Sequence, residues 1–104
     1  MPATRRLVPL ARVPAVERDL AIVIGDNVAA GTVEAVIREA AGPMLRDLRL
    51  FDRYRGAPLG TDESSLAYRL RLQAERTLNE AEIEALVGTV VAALRERLGA
   101  RLRA

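Results

Sequence analysis

Ser65-Leu66-Ala67-Tyr68-Arg69-Leu70-Arg71-Leu72-Gln73 alternates without a break. Leu66, Tyr68, Leu70 and Leu72 fall on one side, and Ser65, Ala67, Arg69, Arg71 and Gln73 on the other. This period predicts a strand with one buried face and one wet face. Upstream, the loop Arg55-Gly56-Ala57-Pro58-Leu59-Gly60 and an acidic continuation separate it from a second extended stretch, about Leu45 to Tyr54. The two are placed to form a hairpin. Leu48 and Leu50 alternate in the second stretch, but Phe51 adds a large apolar group out of phase. Either a bulge re-aims the strand there or both sheet faces are partly covered. The Phe51 ring itself is assigned to the core.

Further out, Arg18 to Ile24 has the pattern of a strand, with Leu20, Ile22 and Ile24 on one face, and Gly25-Asp26-Asn27 turns the chain. Val33, Val36, Ile37, Ala40 and Ala41 then repeat at helical spacing, with Thr32 as the capping candidate and Asn27 as its competitor if the helix starts early. Gly42-Pro43 stops that helix. A second helix opens at Leu78-Asn79-Glu80-Ala81-Glu82-Ile83. Here Asn79 and Glu82 form a capping box, and Leu78 and Ile83 a hydrophobic staple. Ile83, Leu86, Val87, Val90, Val91, Leu94 and Leu98 continue its stripe to Gly99, and Ala100 to Arg103 suffices for a short last strand.

The order is strand, helix, strand, strand, helix, strand. Two helices with one apolar stripe each cover only one face of a four-stranded sheet. The expected class is α+β, a ferredoxin-like βαββαβ fold with an antiparallel sheet and both helices on one face. Residues 14–104 form the domain, and 1–13, with Arg5, Arg6, Arg12 and two prolines, an N-terminal arm or linker.

Composition excludes much chemistry. The 104 residues contain no cysteine and no histidine, so thiolate metal sites, Cys nucleophiles and His-activated serines are absent. No tight acidic cluster suggests an all-oxygen metal centre, and self-contained catalysis is not expected. No apolar run is long enough to span a bilayer, and the first residues do not resemble a signal peptide, so a cytoplasmic location is expected. All sixteen basic residues are arginines, for a net charge of +2. The charge is segregated: 13–45 and 77–94, which hold the helices, each sum to −3, while 1–12, 46–76 and 95–104 give +3, +2 and +3.

Leu50-Phe51-Asp52-Arg53-Tyr54-Arg55-Gly56 carries the chemistry. On a strand, Asp52 and Tyr54 share a face, and an aromatic ring beside a hydrogen-bond acceptor suits stacking and reading an unpaired base. The bland readings stay open. Tyr54 is also an ordinary strand-end aromatic, Asp52 a partner for a cross-strand arginine, Ser65 a common strand opener, and Arg69 and Arg71 a solvated face. Arg18-Asp19 suits a local ion pair or turn anchor, and Arg76-Thr77 the helix entrance.

Taken in order, Pro14 with Arg18-Asp19-Leu20, Leu50-Phe51-Asp52 with Tyr54 and Gly56, Ser65-Leu66-Ala67, Arg76-Thr77-Leu78 with Glu82-Ile83, and Ala100 to Arg103 resemble a known family. It is the ferredoxin-fold anticodon-binding domain found at the C-terminus of the bacterial phenylalanyl-tRNA synthetase beta subunit, and the resemblance covers roughly residues 14 to 103. It implies a module that holds the anticodon stem-loop of phenylalanine tRNA while aminoacylation proceeds elsewhere in the enzyme. It implies partners in that tRNA and in the remaining alpha and beta subunits, and no cofactor here, ATP and magnesium serving the parent ligase. It further implies that Asp52, Tyr54 and Ser65 lie at the first anticodon base, with the Tyr54 ring stacked on it. Members commonly carry a basic Gly-Lys-Lys-like run immediately before the serine, where this chain has Thr61-Asp62-Glu63-Ser64. Arg53, Arg55, Arg69 and Arg71 are assigned the positive potential in its place. The alternative function is a protein-interaction or small-ligand regulatory module that uses the open sheet face.

Overall fold

The computed structural model describes residues 14–103, so the proposed arm lies outside the described residues. Strand β1 (Val16–Gly25) leads to helix α1 (Ala30–Ala41), followed by a single 3-10 turn over Gly42–Met44. Strands β2 (Leu45–Tyr54) and β3 (Glu63–Leu72), helix α2 (Glu80–Leu98) and the two-residue strand β4 (Arg101–Leu102) complete the chain. The sheet order is β2-β3-β1-β4, antiparallel throughout, as expected for a ferredoxin-like fold.

Alternation decides which face is dry. Leu20, Ile22 and Ile24 of β1 and Leu66, Tyr68, Leu70 and Leu72 of β3 point at the helices, where they pack on Val33, Val36 and Ile37 of α1 and Ile83, Val90 and Leu94 of α2. Each such side chain fully removed from water contributes about 1.5–3 kcal/mol. Tyr68 is completely buried, and its hydroxyl donates to Glu34 Oε2 at 3.1 Å. Burial, with the Glu34 charge next in effect, pushes that phenol far above the usual tyrosine range.

The helix termini follow local chemistry in one case and not in the other. Asn79 Oδ1 accepts from the Glu82 N–H at 2.8 Å while Glu82 Oε1 accepts from the Asn79 N–H at 3.1 Å, and Leu78 and Ile83 are buried beside this box. Gly99 ends α2 in the left-handed conformation at φ 69°, which lets its N–H reach the Arg95 carbonyl. At α1 neither Thr32 nor Asn27 caps. The N-cap is Ala29, whose carbonyl accepts from the Thr32 and Val33 N–H groups with no side chain involved. Thr32 thus lies inside the first turn, because the helix begins three residues earlier than its apolar stripe suggests.

Phe51 corrects a core assignment. The register between β2 and β3 shifts between Leu50 and Asp52, so Phe51 is the extra residue of a bulge. It emerges on the open face, 45% exposed, under the Arg69 guanidinium at 4.8 Å from the ring centroid. Arg18 and Asp19 do not pair with each other either. As strand neighbours they point to opposite faces, Arg18 reaching Glu80 at 2.9 Å and Asp19 reaching Arg69 at 2.8 Å.

Candidate nucleic-acid interface

Cross-strand register sets the residues of the open face in rows. Tyr54 of β2 stands opposite Ser65 of β3, which stands opposite Val23 of β1, which stands opposite Arg101 of β4. In the next row Asp52 faces Ala67, Ala67 faces Ala21, and the Ala21 carbonyl accepts from the Arg103 N–H at 2.8 Å. Arg49, Arg69 and Asp19 make the row after that. Two alanines therefore floor a shallow trough. Asp52 closes one end, and Tyr54 and Phe51 rise on either side of that carboxylate.

Tyr54 is 37% exposed and held in place at its far end, where its hydroxyl donates to the Ala57 carbonyl at 2.5 Å. Gly56 makes this closure possible. It sits at φ 118°, a backbone conformation that residues with a side chain rarely adopt. Asp52 has no hydrogen bond or ion pair among the described residues, so the cross-strand arginine pair open to it in the sequence does not form. Its acceptor oxygens face solvent beside the trough.

The other named residues divide. Arg69 lies on this face, bidentate to Asp19 and stacked over Phe51. The Arg69 hydrogen bonds hold the Asp19 carboxyl below the usual range. Arg71 lies on the same face with no ion pair among the described residues. Ser65 occupies its expected row but is only 3% exposed, and Val23 beside it only 2%, so the middle of that row is closed over rather than open. Arg53 and Arg55 do not join Tyr54. Strand alternation turns Arg53 to the helix side, opposite Leu66. There it lines a cleft of about 220 Å³ with Asp26, Val28, Ser64 and Arg55. Arg55 is paired with Asp26 at 2.5 Å, and Asp26 also accepts from the Ser64 hydroxyl.

The acidic loop has a structural task. Glu63 binds Arg101 through both nitrogens, at 2.5 and 3.1 Å, and accepts from the Gly60 N–H at 3.0 Å. Its carboxyl is held below the ordinary range by the Arg101 hydrogen bond first and the Gly60 N–H second. The Asp62 carbonyl meanwhile accepts from the Asp26 N–H. A basic run at this place would remove the clamp on β4.

Sequence reasoning missed Arg103. Its guanidinium lies over the Tyr54 ring, 5.0 Å from the centroid. Only the register of a two-residue strand brings these residues together, and no local signal gives that register.

Among the described residues no group of three His, Cys, Asp or Glu converges as a metal site, and no helix is long and apolar enough to cross a membrane. A model of the ferredoxin-fold anticodon binding domain matches residues 11–103. The chain is 52% identical over 99 residues to the phenylalanine–tRNA ligase beta subunit of Moorella thermoacetica, covering 94% of this chain and 12% of that protein. The Anaeromyxobacter dehalogenans beta subunit is 47% identical, covering 97% of this chain and 13% of that one. In Salinibacter ruber the figures are 41%, 91% and 11%. The chain thus spans about an eighth of the length of the curated relatives it matches. With the fold, the open sheet face and these matches in agreement, the chain belongs to the ferredoxin-fold anticodon binding domain family.

Proposed function

We propose that this domain holds the anticodon stem-loop of phenylalanine tRNA on its open sheet face, as one part of a phenylalanine–tRNA ligase beta subunit. An unpaired loop base stacks on Tyr54 above the Ala67–Ala21 floor, and Asp52 accepts hydrogen bonds from that base's edge. Phosphates flanking the base meet the arginines of the same face. Ser65 supports the ring from beneath. Joining of the amino acid to the distant acceptor end, with ATP and magnesium, belongs to other modules of the ligase, and the cytoplasm is where such a ligase would work.

One observation carries this reading: the part-exposed Tyr54 ring and the Asp52 carboxylate, which has no partner among the described residues, stand side by side on one strand at the edge of a floor of two small residues. The test is amide shift mapping of the ¹⁵N-labelled chain on addition of the anticodon stem-loop. Shifts concentrated at Ala21, Asp52, Tyr54 and Ala67 are expected. Shifts confined to α1 and α2 would move the RNA to the other side of the molecule.

A further inference from the structure

We propose that Arg103 is a second wall of the base site: it leaves the Tyr54 ring when a base arrives and closes on that base from its outer side. The inference rests on the stacking role proposed for Tyr54.

Four observations carry it. The guanidinium already lies 5.0 Å from the Tyr54 centroid. A base needs roughly 3.5 Å of clearance on each side, so a ring–base–guanidinium sandwich spans about 7 Å, only about 2 Å more than the present spacing. The Arg103 backbone is anchored by its N–H to the Ala21 carbonyl at 2.8 Å, and β4 just before it is clamped by the Arg101–Glu63 pair. The side chain therefore swings from a fixed point. Finally, Arg103 makes no ion pair among the described residues, whereas Arg69 and Arg101 on the same face are both engaged by carboxylates. Among the described residues its side chain has the Tyr54 ring as its partner.

The relative strengths give the direction of exchange. A cation over an exposed ring holds it by a few-fold, whereas a stacked base is held by about five-fold to more than a hundred-fold. The base displaces the guanidinium from the ring. The displaced planar cation then stacks on the base's other face, where the adjacent phosphate keeps it.

A double-mutant cycle on the 104-residue chain tests this, with labelled anticodon stem-loop titrated into wild type, Arg103→Ala, Tyr54→Ala and the double variant. Arg103→Ala is expected to weaken binding about five-fold in the wild-type background and less than two-fold beside Tyr54→Ala. Arg103→Lys, which keeps the charge and loses the plane, should recover only part of the loss. An equal loss in both backgrounds would make Arg103 an independent phosphate contact, and unchanged or tighter binding would make it a mere cover; either overturns the proposal. If Tyr54→Ala alone left affinity unchanged, the stacking reading itself would fall, whatever Arg103 did. Circular dichroism of each variant separates these outcomes from loss of fold.

Discussion

The Tyr54 hydroxyl donates to the Ala57 carbonyl at 2.5 Å, tying the ring's far end to the loop that follows its own strand. A ring pinned at both ends is pre-oriented for stacking, and little rotamer freedom remains to be lost on binding. Tyr54→Phe keeps the stacking surface and cuts the tie. A net hydrogen bond of about 1 kcal/mol sets the effect at up to roughly five-fold in stem-loop affinity, well short of full ring removal. Equal damage from the Phe and Ala variants would mean that the hydroxyl, and not the ring face, carries the interaction.

Asp52 has no partner among the described residues, so its removal should be silent in folding and loud in binding. A hydrogen bond to a charged acceptor is worth about 1.5–3 kcal/mol, so Asp52→Ala should weaken stem-loop binding at least ten-fold. The same variant should unfold thermally within about 0.5 kcal/mol of wild type. A large stability loss without a binding change would return Asp52 to a structural role.

Arg49, Arg71 and Arg103 are the arginines of the open face without an ion pair among the described residues. With about three phosphates neutralised, log affinity should fall against log salt with a slope of roughly −2. Titration of the stem-loop at several salt concentrations measures it. A slope steeper than about −5 would require a much larger phosphate footprint than this face offers.

The start of α2 sets acid sensitivity. Arg76 hydrogen bonds, then the Asn79 N–H, hold the Glu82 carboxyl down to about 2. A depressed carboxyl adds stability above its unfolded value of about 4.3, and that stability is lost as pH falls towards 2. Asp19 and Glu63 are depressed as well and act in the same direction. Thermal unfolding should therefore drop between about pH 4.5 and pH 2, and Arg76→Gln should shrink the difference between pH 7 and pH 3. Asn79→Ala should cost about 1 kcal/mol at pH 7, or about 4–8 °C.

The fold was legible because its signals are local. The alternation in β3, the Asn79–Glu82 box and the stops at Gly42 and Gly99 each act within a few residues. Tyr54 and Asp52 were legible as same-face neighbours for the same reason. What stayed hidden depends on long-range register. The bulge that expels Phe51, the burial of Ser65, and Arg103 over Tyr54 follow from how β2 and β4 align with their neighbours. Arg53 and Arg55 are a different case: beside a face-forming Tyr54 the flanking residues must face the other way, so local alternation alone already separates them from the ring.

The affinity of the anticodon stem-loop for wild type against Tyr54→Ala is the most direct measurement. Losing one stacked base costs about 1–3 kcal/mol, so the variant should bind roughly five- to 150-fold more weakly with its fold intact. Equal affinities would place RNA recognition somewhere other than the open face of this sheet.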